Sequence, residues 1–143
     1  MMKKIPFLFL VLVLFGCGSK SKIAESKPLY ETLSVKEDGG ATIRFFEILS
    51  EPREIKMLQN DADLRKKINA DDITTSNFVI LNMGEKTTLG YSIAVESIKE
   101  TSDKILIKVK ENSPKNGLII EKEVFYYPYT IIKVNSKKPL IIE

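Results

Sequence analysis

Two alternating apolar runs, separated by only a few residues, restrict this fold more than any other feature of the sequence. In "YSIAVESI" (91–98), Tyr91, Ile93 and Val95 alternate with Ser92, Ala94 and Glu96. In "KILIKVKE" (104–111), Ile105, Ile107 and Val109 alternate with Leu106, Lys108 and Lys110. A period of two buries one face of a strand and leaves the other wet. Thr101-Ser102-Asp103 makes a tight connection, so the runs are expected to pair as a hairpin.

The flanking sequence extends this pattern. Asp38-Gly39-Gly40 is a turn signal, and "ATIRFFEIL" (41–49) after it has the β-branched and aromatic content of a strand. "REIKMLQ" (53–59), after Pro52, alternates Ile55 and Met57 with polar neighbours and predicts a second strand. "NDADLRKKIN" (60–69) places acid first and base last, with Leu64 and Ile68 four apart. That predicts one short helix, capped by Asn60 or Asp61. "FVILNMG" (78–84) is a continuous apolar run ending at Gly84, as expected of a central strand buried on both faces. Ser113-Pro114-Lys115-Asn116-Gly117 reads as a loop. Further strands are expected over 118–127, 129–134 and 140–143. No strand–helix–strand rhythm appears. The expected class is α+β and β-dominated: a curled antiparallel sheet, or a small sandwich or barrel, with one short helix.

The amino terminus reads differently. Met1-Met2-Lys3-Lys4 is a cationic start, and Ile5 to Phe15 is apolar apart from Pro6. As a helix those eleven residues would rise about 16 Å, roughly half the hydrocarbon core of a bilayer. The segment 1–16 is therefore expected to be a secretory signal peptide. Leu14-Phe15-Gly16-Cys17 resembles the bacterial lipobox, with Phe15 bulkier than the usual small residue. That resemblance implies lipidation of Cys17 and removal of the preceding segment. Each buried CH₂ adds ~0.8 kcal/mol, so several acyl chains anchor a protein firmly where one does not. Residues 17–36 would then be a lipidated cysteine and flexible polar tether, with a β-rich domain over 37–143. Gly18 and Ser19, with no Asp among them, favour the outer membrane of a bacterial envelope by a sorting rule known for some lipoproteins.

Composition narrows the chemistry. The chain has no histidine and one cysteine, so zinc sites of the usual kind, Cys-His and Ser-His-Asp catalysis, and an internal disulfide all lack their residues. The precursor carries 22 basic and 19 acidic residues. Loss of Lys3 and Lys4 leaves 20 against 19, with no basic excess for nucleic acid. Asp61, Asp63, Asp71 and Asp72 do not match a calcium loop and read as a capped helix with flanking charges. No cofactor, no metal and no enzymatic activity are expected.

The stretch "GEKTTLGY" (84–91) joins two strands and has a glycine at each end. Gly90 suits a positive φ or a close backbone approach, and Tyr91 would open the next strand facing the core. Taken with "FVILNMG" before it, "ENSPKNG" (111–117) and "VFYYPYTIIKV" (124–134), it resembles the PrcB C-terminal domain family. Gly84, Thr88, Gly90, Tyr91, Pro114, Pro128 and Tyr129 carry the resemblance, over roughly residues 41–143. Thr87 stands where proline is frequent in that family, and Leu89 where a first glycine is. The resemblance implies a lipoprotein that binds and stabilises a surface protease without itself being the peptidase, and it carries over no catalytic residues. Thr87, Thr88, Gly90, Tyr91, Tyr127, Pro128 and Tyr129 are the expected partner-binding residues. Simple packing of the aromatics and a solvated turn at 85–89 is the other reading. Besides a protein partner, for which the resemblance implies an exported protease, two further roles stand open: capture of a small ligand between sheet and helix, and a structural role in the envelope.

Overall fold

The computed structural model describes residues 26–115 and 124–143. Along the chain run β1 (Tyr30–Lys36), β2 (Phe45–Leu49), α1 (Pro52–Leu58), α2 (Ala62–Arg65), α3 (Asp72–Thr75), β3 (Asn77–Asn82), β4 (Ser92–Glu100), β5 (Ile105–Asn112), β6 (Tyr129–Val134) and β7 (Leu140–Ile142). The strands form two sheets, β1-β6-β3-β2 and β4-β5-β7, and neither closes into a barrel. The class is α+β and β-dominated, as expected. Cys17 and the segment 1–16 lie outside the described residues, as do residues 118–123 of the strand expected over 118–127.

The four-stranded sheet is the middle of three layers. Along β3, Phe78 packs with the helices while Val79 and Leu81 pack with the second sheet. β6 divides the same way, with Ile131 toward the helices and Ile132 and Val134 toward the second sheet. A strand covered on both faces needs apolar side chains at every position, which is why 78–83 shows no period of two. The core between the sheets holds Val79, Leu81, Met83, Ile93, Ile105, Ile107, Ile132, Val134 and Leu140. The Thr130 hydroxyl donates to the Ile93 carbonyl at 2.7 Å and ties the sheets together.

The hairpin forms with the expected strands. β4 pairs antiparallel with β5, and its register shifts between Val95 and Ser97. The extra residue, Glu96, changes the parity of the strand. Val95 and Ile98 then both pack on the core although they are three apart.

Four expectations need correction. The segment 53–59 is a helix, not a strand. Pro52 occupies the first turn, and Glu51 and Glu54 form a reciprocal capping box that satisfies exposed N–H groups. Ile55 is fully buried and Leu58, three residues on, packs beside it, a helical spacing that the local alternation concealed. Second, the helix expected over 60–69 is one turn, α2, and three short helices are present among the described residues instead of one. Its apolar pair does bury, Leu64 and Ile68 together, and Asp61 caps it by accepting from Asp63 N (2.8 Å) and Leu64 N (3.0 Å). Asp72, read as a flanking charge, is buried at the start of α3, 3.3 Å from the buried Lys133 ammonium. Third, residues 30–36, placed in the flexible tether, form β1 and pair with β6 along their length. Leu33 buries under the helices, which gives a polar-looking stretch its anchor. Fourth, the sheets are not wholly antiparallel. After β6 the chain crosses to the second sheet, and β7 lies parallel to β5. Residues 124–127 also form no strand; only Tyr126 makes a bridge, to Lys86.

Candidate contact site at one end of the sheets

Asn82 and Tyr129 face each other where β3 ends and β6 begins. At this end the chain makes three excursions, through residues 37–44, 83–91 and 124–128. Backbone hydrogen bonds lock these segments to one another. Lys86 and Tyr126 exchange two, both 2.8 Å. Met83 N donates to the Pro128 carbonyl (3.0 Å), Glu85 N to Thr42 (3.0 Å) and Gly40 N to Tyr127 (2.9 Å). The two sequence motifs, 84–91 and 125–129, are thus one site.

The residues singled out from the sequence divide there by exposure. Thr87 and Gly90 are exposed. Tyr91, Tyr127 and Tyr129 are half-buried, and Pro128 is buried. Thr88 is half-buried, with its hydroxyl oxygen enclosed and without a partner among the described residues. Gly90 has φ +96, the conformation expected of it, and a Cβ there would stand 3.0 Å from the Pro114 ring. Tyr91 precedes β4, and the Lys86 ammonium sits 5.2 Å from the centre of its ring. The Tyr127 hydroxyl donates to Glu85 Oε2 at 3.3 Å. Partial burial, and then the neighbouring Glu85 carboxylate, raise the Tyr127 phenol above its ordinary pKa. Tyr129 turns toward the helical face instead, where it packs beside Ile131.

Sequence reasoning missed the residues that hold the site together. Asn82 is fully buried. Its amide donates to the carbonyls of Ala41 (2.9 Å) and Ile43 (2.7 Å) and accepts from Ala41 N (3.0 Å). The signal was available, because Asn82 is the one amide inside the apolar run "FVILNMG", and a buried amide needs partners. Asp38 accepts from Tyr127 N at 3.0 Å. Gly40 lies so close to this network that a Cβ would overlap the Asn82 side chain and stand 2.7 Å from the Tyr127 carbonyl.

The site is rich in exposed apolar side chains. Nine large hydrophobic side chains are exposed among the described residues, and four of them, Ile43, Leu89, Val124 and Phe125, belong to these segments. Ile43 is the most exposed, at 76%. Among the described residues no group of three or more acidic, cysteine or histidine side chains is placed to hold a metal. Residues 77–135 match the family model described as PrcB C-terminal, a span narrower than the 41–143 of the resemblance. No curated protein and no solved structure matches the chain.

Proposed function

We propose, from the match of residues 77–135 to the PrcB C-terminal family, that this chain is an exported lipoprotein, anchored through Cys17, whose β-rich domain binds a protein partner. The partner is an exported protease or a component of its complex, and the domain holds or stabilises it at the envelope. The exposed apolar side chains gathered on a rigid frame at one end of the sheets carry this reading. Patches of that kind on a hydrogen-bonded scaffold suit protein contact better than chemistry.

The path of the chain supports it. Just past β6, Asn135 holds residues 28 and 29, its N–H donating to the Leu29 carbonyl and its side-chain amide to the Pro28 carbonyl. The amino-terminal entry is therefore at the far end of β6 from Tyr127 and Pro128. Six strand residues separate the two, or about 20 Å.

The small-ligand reading expects a deep apolar pocket between sheet and helix. The space there is an open groove of ≈ 450 Å³, and it suits a different occupant. Isolation of the lipidated chain from its native membrane, with mass spectrometry of its amino terminus and of co-isolated proteins, tests the proposal. An acylated Cys17 and one recurrent exported partner are expected. An unacylated start, or hydrolytic turnover by the purified chain alone, contradicts it.

A further inference from the structure

A second surface lies along β2 and runs up to that end of the sheets, where Gly40, Asn82 and Tyr129 line its groove. This strand pairs with β3 on one side and with no other strand among the described residues. An edge strand of this kind offers a row of free N–H and C=O groups to any extended chain. β2 is also apolar where edges are usually blunted: Phe45 is 36% and Ile48 37% exposed, and Met57 of the adjoining α1 is 65% exposed. With Leu58, Ile80 and Tyr129, Phe45 and Met57 line a groove between the edge and the helices, while Ile48 lies on the other face of β2.

The charges along the groove have one sign. The charged residues lining it are Glu47, Glu54 and Asp61. Glu54 is engaged in the helix cap. Asp61 is held ionised by the N–H groups of Leu64 and Asp63, which lower its pKa. Glu47 makes no ion pair among the described residues and sits at the middle of β2. It rules out one occupant. Two copies of β2 paired antiparallel about their centre would set Glu47 against Glu47, and like charges directly opposite are destabilising. An added strand with lysine or arginine at that position would gain from the same carboxylate.

We propose that β2 and this groove bind an extended segment of another protein by strand addition, with apolar side chains in alternate positions and a basic residue opposite Glu47. Main-chain hydrogen bonds would supply affinity, and the groove and Glu47 would supply selectivity. The inference does not depend on the family-based proposal. Substitution of Thr87, at the other surface, leaves this binding unchanged.

The test uses the full chain in detergent and three nine-residue peptides of alternating valine and threonine. One has a central lysine, one a central glutamate, and one the lysine with its backbone nitrogens methylated along the pairing edge. Fluorescence anisotropy should show saturable binding of the lysine peptide, with the glutamate peptide weaker by about fivefold, the scale of one cross-strand charge pair. Glu47→Lys should reverse that order, and backbone methylation should abolish binding. The proposal is overturned by equal binding of all three peptides, by no binding of any, or by self-association of the chain that the peptides do not displace.

Discussion

The two sheets differ in what covers them. The four-stranded sheet lies between helices and a second sheet, so β3 and β6 are buried on both faces. The three-stranded sheet has one face on the core and one in water, and Lys108, Lys110 and Ile141 lie exposed along it. The first kind of strand hides its period and displays its length; the second displays its period directly. Tolerance to substitution should follow the same division.

The largest contrast is expected from truncations on the two sheets. Phe78→Ala empties a site with no exposure and should cost about 3–5 kcal/mol by chemical denaturation. Ile141→Ala, on the wet face, should stay within about 0.5 kcal/mol. Equal costs would remove the distinction between the sheets.

The ion pairs sharpen it. Asp72→Ala leaves the buried Lys133 ammonium facing only the more exposed Glu31, also at 3.3 Å, and should cost about 3–5 kcal/mol. Adding Lys133→Met should recover most of that loss, because no charge is then left buried. On the outer face of the small sheet, Glu96→Gln breaks a 2.8 Å pair with Lys108, and the unfolding midpoint should not move measurably.

A smaller effect is expected where the large sheet meets the contact site. Gly40→Ala presses a methyl group on the Asn82 side chain and the Tyr127 carbonyl and should cost about 1–3 kcal/mol. Because the strain falls on the turn that Asn82 holds, amide exchange at Ala41 should rise more than exchange within β5.

The smallest effects are titrations. At Glu31, the Asn135 hydrogen bond first, and then the Lys133 charge, hold the carboxyl below its ordinary value of 4.5. A depressed folded pKa gives stability that is present above the unfolded value and lost as pH falls through the folded one. Denaturation midpoints should therefore decline below pH 4.5, and by less in Glu31→Gln. The Tyr127 phenol titrates above 10.0, so its contribution is complete below that pH and is lost as pH rises through the folded value. Ultraviolet titration should show a late tyrosine component that Tyr127→Phe removes.

The sequence made the half-covered strands legible, since alternation in 91–98 and 104–111 names the buried residues one by one. It also disclosed β3, through an unbroken apolar run closed by Gly84. It misled at 53–59, where Ile55 and Met57 mimic strand alternation although only Ile55 buries; the deciding signals were Pro52 and the Glu51–Glu54 cap. It was silent about β1, whose one buried anchor, Leu33, stands among polar residues. The two motifs of the contact site were visible separately. Their union was not, because the Lys86–Tyr126 bridge joins residues 40 positions apart and depends on strand order.

Residues 84–91 and 124–128 form one surface, and the proposed function has another protein occupy it. A photo-crosslinking amino acid at Thr87, compared with the same group at Lys108 on the wet face of the small sheet, tests this in the native envelope. One discrete protein adduct from position 87 and none from position 108 is the predicted result. The same adducts from both positions, or none from either, would contradict it.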